Sequence, residues 1–125
     1  MENLKNSLNW FEIPVIDFDR AQKFYSSIYD FEMPTMPIGP NMFGFFLMEK
    51  GGVGGAIVKG EGYEPSSKGT LVYLNTGENL MPVLNRIEDA GGKVIMEKTL
   101  VREDIGFIAM FIDTEGNRVA LHSMK

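Results

Sequence analysis

Leu8-Asn-Trp-Phe-Glu-Ile-Pro-Val-Ile-Asp-Phe-Asp-Arg-Ala21 holds two periods in one run. In its first half Phe11, Ile13 and Val15 alternate with Trp10, Glu12 and Pro14, the pattern of a half-buried strand. Beyond Asp17 the spacing changes: Ala21, Phe24, Tyr25 and Ile28 recur as one buried face of a helix. Asp19, with Gln22 three residues later, has the form of a capping box and predicts a helix start there, with an end near Asp30.

Working outward, a short strand is expected around Phe31 to Met36, then a turn through Pro37, Gly39, Pro40 and Asn41 and a strand from Met42 to Met48. Lys50, Gly51 and Gly52 turn the chain into a fourth strand, Val53 to Val58, and the Gly-, Pro- and Ser-bearing segment 59–68 reads as a linker or mobile loop. From Gly69 the pattern restarts. Thr70 to Asn75 forms a strand, and a helix follows with Leu80, Val83, Leu84 and Ile87 as its apolar face. Pro82 is tolerated in its first turn and Gly91-Gly92 ends it. Strands follow at Lys93 to Glu97, Ile105 to Ile112 and Arg118 to Ser123, the last two joined by a hairpin turn through Asp113 to Asn117. The order strand, helix, three strands thus occurs twice. The expectation is one α+β domain over residues 1–125, built of two βαβββ modules at about 8–60 and 68–123. If the helices lie outside, the inner faces of the two sheets form a cup for a small molecule.

Composition removes several functions. The 125 residues include no cysteine and one histidine, so thiol chemistry is absent and a single chain cannot supply a two-imidazole metal site. A net charge of −5, with scattered Lys and Arg, argues against nucleic acid as a partner. A cationic or neutral ligand fits better. No apolar run approaches the ~20 residues of a membrane span, and the expectation is a cytoplasmic protein with no membrane partner. Lys50 to Ala56 is rich in glycine, but no helix start follows it to supply phosphate-binding amides.

Asp17-Phe-Asp-Arg20-Ala21 followed by Phe24-Tyr25, and later Gly106-Phe-Ile-Ala-Met-Phe-Ile-Asp113-Thr-Glu-Gly116-Asn117-Arg-Val-Ala-Leu, give the sequence its resemblance. Over essentially its whole length it resembles the vicinal oxygen chelate superfamily, the glyoxalase, bleomycin-resistance and dioxygenase group. The resemblance implies the two-module fold and a homodimer. It also implies metal ligands projecting from the first and last strands of each module, positions that here hold Trp10, Gly55 or Ala56, Thr70 and Ala120. These are apolar or small, so the usual metal site is read as lost and no cofactor is expected.

Two side chains restore some polarity. Glu12 shares a strand face with Trp10, and His122 shares one with Ala120. Facing the cup, they would act as a general acid and base, or hold a divalent metal weakly with water completing its shell. Glu12, in an otherwise apolar strand, needs a partner such as Arg118, His122 or a ligand. The apolar wall is expected from Trp10, Phe46, Met48, Val72, Leu74 and Met110, with Thr70 and Ala120 beside them. The leading reading is a glyoxalase/bleomycin-resistance-like small-molecule-binding protein. The alternative is a metal-dependent lyase or isomerase of the lactoylglutathione lyase type, or a dioxygenase-like enzyme, using Glu12 and His122.

Overall fold

The change of period at Asp17 marks the first strand-to-helix junction. A computed structural model describes residues 3–125. The elements are β1 (Trp10–Pro14), α1 (Phe18–Tyr29), β2 (Thr35–Ile38), β3 (Asn41–Phe45), β4 (Gly54–Lys59), β5 (Tyr73–Asn75), α2 (Met81–Leu84), β6 (Lys93–Arg102), β7 (Gly106–Ile112) and β8 (Arg118–Ser123). They make two four-stranded sheets of matching order, β1-β4-β3-β2 and β5-β8-β7-β6. In each sheet the first and last strands pair parallel and the remaining pairs are antiparallel. The repeat in the sequence is therefore a repeat of topology, and the fold class is α+β. Among the described residues no helix is long and apolar enough to cross a membrane.

The start of α1 differs from expectation. Asp17, not Asp19, is the N-cap, its carboxylate accepting from the Arg20 amide at 3.1 Å, while Gln22 reaches away to the Met33 carbonyl. Two aspartates stand within three residues, and the extended backbone of Asp17 is what lets its side chain reach the free amides of the first turn. Asp30 ends the helix in a left-handed conformation. The second helix is shorter than its apolar periodicity suggests. After Leu84 the chain tightens into turns, with Arg86 and Ile87 bonding back three residues, yet Leu80, Val83, Leu84 and Ile87 are all buried as expected.

The two modules share one core. Phe24, Tyr25 and Ile28 of α1 pack with Ile13 and Ile57 of the first sheet and with Leu74, Ala109, Phe111 and Leu121 of the second. The Phe24 and Phe111 rings lie 5.8 Å apart across the two modules. Each such side chain, fully buried, contributes about 1.5–3 kcal/mol. The helices are thus shared packing between the sheets, where the sequence suggested one outer layer per module. Gly55 makes the close approach of β4 possible, since a Cβ there would collide with the Phe11 ring.

Several boundaries move as well. The second strand lies at Thr35–Ile38, not at Phe31 to Met36, and β5 is confined to Tyr73–Asn75. β6 runs on to Arg102, well past Glu97, through three register irregularities. Segment 59–68 carries two local bonds, Tyr63 N–H to Gly60 O and Lys68 N–H to Ser66 Oγ, and is tied to the second module where Ser66 N–H donates to the Asn117 side chain.

Candidate functional site

Strands β1 and β5 are each an edge of their own sheet, and the space between these two edges is a cleft of about 1420 Å³. Its first wall is Trp10, Glu12 and Pro14 with Phe46 to Met48, the segment leaving β3; the second is Leu71 to Thr76. Tyr29 at the end of α1 and Phe31 just beyond it also line the cleft, and Glu64 and Ser66 reach it from segment 59–68. Drug-sized ligands occupy pockets of about 300–1,000 Å³, so the cleft is roomy enough for a ligand of several rings.

Glu12 is the best-defined polar group of the first wall. Alternation sends Phe11, Ile13 and Val15 to the core and leaves Trp10 and Glu12 together on the opposite face. The Trp10 indole N–H donates to Glu12 Oε2 at 3.2 Å, and the Tyr63 hydroxyl donates to Oε1 at 2.8 Å. The Tyr63 phenol is pushed up from its ordinary value by that bond first, then by burial and the carboxylate charge. Trp10 meets Phe45 edge to face at 6.2 Å, which fixes the indole over the sheet.

A second polar cluster joins the modules below the cleft. Buried Asp113 accepts from Tyr25 Oη at 2.7 Å and from the amides of Glu115 and Asn117. Asn117 donates through its side chain to the Pro14 carbonyl at 2.7 Å. The Glu115 side chain, fully shielded from solvent, accepts from the amides of Ile16 and Asp17 and from Arg20 Nε. Burial alone would raise its carboxyl, but the Arg20, Asp17, Ile16 and Thr114 bonds outweigh it and hold it below the ordinary carboxylate range. Burial, then the Asp113 charge, pushes the Tyr25 phenol well above its ordinary value. Tyr29 donates to the Asn75 carbonyl at 2.8 Å, a further tie across the cleft floor.

The residues singled out from sequence divide in two. Trp10, Glu12, Phe46, Thr70 and Val72 line the cleft, as do Met48 and Leu74. Met110, Ala120 and His122 do not line it. Ala120 pairs with Tyr73 and Met110, and His122 with Asn75 and Ile108, so these side chains share the face of the second sheet turned away from the core. His122 Nε2 lies 2.6 Å from the Ile105 carbonyl, which requires the proton on that nitrogen. Glu12 is therefore not joined by His122 in the cleft, and its partners are Trp10 and Tyr63 instead of Arg118 or His122. Val72 and Phe46 reach the cleft from the core side, because Leu74 pairs with Leu121 in the interior and Phe46 packs on Phe11 and Tyr25.

Sequence reasoning missed Tyr29, Phe31, Tyr63, Glu64, Leu71 and Tyr73. Tyr29, four residues after Tyr25, extends the apolar face of α1 and could have been found that way. Tyr63 and Glu64 lie in an aperiodic segment that carries no such signal.

No family model matches the chain, and no curated protein matches it. Solved structures do. A glyoxalase/bleomycin resistance protein from Albidiferax ferrireducens T118 superposes with a TM-score of 0.70 over 94% of this chain and 98% of its own, at 13% identity. This is the vicinal oxygen chelate fold. TnmS3, an antibiotic-binding protein from Streptomyces sp. CB03234, matches with a TM-score of 0.67 and 19% identity over 98% of both chains. Glyoxalase I from Zea mays matches with a TM-score of 0.65 and 18% identity over 92% of this chain, which spans only 43% of that longer protein.

A metal of the kind the vicinal oxygen chelate superfamily uses does not fit these residues. On the strand faces concerned stand Trp10, Ala56 and Ala120, with Gly55 turned to the core opposite Phe11. Among the described residues no three of His, Asp and Glu converge. Thr70 brings one hydroxyl to the cleft, which alone makes no divalent-metal site.

Proposed function

We propose that this chain is a small-molecule-binding protein of the glyoxalase/bleomycin-resistance type, holding an organic ligand in the cleft between β1 and β5. The observation that carries the reading is the wall itself: Trp10, Tyr29, Phe31, Phe46 and Tyr73 line a space of about 1420 Å³ together with the hydrogen-bonded carboxylate of Glu12. Aromatic side chains offer large area with little conformational freedom to lose, and a single fixed polar group orients what they hold. Support comes also from the likeness to an antibiotic-binding protein over nearly the full length of both chains. In this reading Glu12 is a ligand-orienting group, and His122 fastens the turn before β7.

Equilibrium dialysis and calorimetry against a panel of neutral multi-ring compounds test the proposal. Saturable binding is expected, weakened at least about tenfold in Trp10→Ala through loss of the aromatic contact and abolished in Thr70→Phe, which fills the cleft from an exposed position. Binding unchanged in both variants would place the ligand elsewhere. Pairing of two chains belongs to the same proposal: Met36 and Ile38 of the edge strand β2 are 52% and 47% exposed, apolar surface that a second copy would cover. Light scattering at micromolar concentration should give twice the monomer mass, and a monomer mass would remove this part.

A further inference from the structure

We propose that the cleft selects organic cations, flat apolar molecules carrying a protonated amine or a quaternary nitrogen. This rests on the reading of the cleft as a ligand site and adds the charge class of the ligand.

Among the described residues the charged ones lining the cleft are Glu12, Glu49 and Glu64, with no Lys, Arg or His beside them. None of the three carboxylates forms an ion pair among the described residues. Among the described residues the ion pairs are Arg20 with Glu115 and Arg102 with Asp104, both outside the cleft. Glu12 is the telling case, because both of its oxygens are held by uncharged donors, the Trp10 indole and the Tyr63 hydroxyl. Such bonds fix the carboxylate in place and leave its negative charge uncompensated. Each oxygen keeps a further lone pair for a donor on the ligand. Arg118, on the second sheet, does not line the cleft.

The aromatic residues point to the same ligand. Trp10 is 40% exposed and Tyr73 50% exposed, one on each wall, and the electron-rich faces of Trp and Tyr attract cations. An anion would meet these faces and three carboxylates with no positive group to receive it. A neutral ligand would gain the apolar contacts and at most an uncharged hydrogen bond to Glu12. The overall charge of −5 adds an attraction of the same sign at longer range.

The test uses three three-ring probes of similar size near neutral pH: 9-aminoacridine as the cation, anthracene-9-methanol as the neutral compound and anthracene-9-carboxylate as the anion. Trp10 is the one tryptophan of the chain, so quenching of its emission, checked by equilibrium dialysis, reports occupancy directly. The cation should bind at least about tenfold more tightly than the neutral probe, and the anion should bind weakest. Added salt should weaken the cation and leave the neutral probe unchanged. Glu12→Gln combined with Glu64→Gln should weaken the cation far more than the neutral probe and so close most of the gap between them. Neutral and cationic probes binding equally would overturn the charge selectivity and leave the ligand cleft standing. A gap that survives both substitutions would also overturn it. Absence of binding by all three probes would overturn the ligand cleft and the selectivity together.

Discussion

Glu115→Gln probes the joint on which the cleft depends. The wild-type carboxylate takes the Ile16 and Asp17 amides on Oε1, at 3.0 and 2.7 Å, and Arg20 Nε and Thr114 Oγ1 on Oε2, at 2.8 and 3.0 Å. Glutamine keeps one carbonyl oxygen for the two amides and presents an NH₂ group to the guanidinium. The ion-paired bond is lost and a donor faces a donor inside a side chain fully shielded from solvent. A hydrogen bond to a charged group is worth about 1.5–3 kcal/mol when shielded; the Arg20 side chain is 54% exposed, so solvent screening holds this one to about 1–2 kcal/mol. At about 3–5 °C per kcal/mol for a chain of this size, the melting temperature at neutral pH should fall by about 3–10 °C. The pH dependence gives the sharper check. The folded carboxyl lies below its ordinary value of 4.5, so its contribution is present in full above that value and is lost as pH falls through the depressed folded one. The gap between wild type and variant should therefore narrow on acidification below 4.5. Urea unfolding followed by circular dichroism across that range reads both quantities. A neutral-pH shift under about 1 °C, or a gap independent of pH, would refute the assignment of Glu115 as an ionised clamp between the modules.

Tyr25→Phe should cost about 1–2 kcal/mol by removing the buried bond to Asp113, while Asp113 keeps its backbone donors; a neutral result in chemical denaturation would show that bond to be idle. Gly106→Ala should destabilise by at least about 1 kcal/mol, because Gly106 has φ of +102° and an added Cβ would strike the Ser123 carbonyl, and an unchanged melting temperature would contradict that geometry. His122→Ala should lower stability by about 1 kcal/mol through loss of the Ile105 bond. It should leave probe affinity within about twofold, well under the tenfold that 1.4 kcal/mol represents; a loss of binding in calorimetry would bring His122 back into the site.

The fold was legible wherever periodicity and packing agreed. The buried face of α1 and the bounds of β8 follow from apolar spacing, since the residues that set the pattern are the ones that enter the core. The cap of α1 was misplaced because Asp17 and Asp19 both satisfy the local rule, and only the backbone conformation chooses between them. Around β5 the alternation of Val72 with Leu74 marks one face, and both side chains do line the cleft. What alternation does not give is that they reach it from the core side, Leu74 pairing with Leu121, while Tyr73 lines it from the opposite face. The site was half legible. Trp10 and Glu12 follow from one strand's alternation, whereas the Tyr63 bond joins residues 51 positions apart across an aperiodic segment, a contact that no local pattern encodes. The separation of Glu12 from His122 is likewise a matter of how two modules pack, which the repeat alone does not fix.

Amide chemical-shift mapping with 9-aminoacridine on isotopically labelled protein tests the central claim most directly, because every wall of the cleft and every open sheet face reports separately. The largest shifts should fall on Trp10 to Glu12, Leu47 and Met48, and Leu71 to Asn75, the two walls between β1 and β5. Shifts centred on Met110, Ala120 and His122, with those walls unmoved, would place the ligand on the open face of the second sheet and contradict the account.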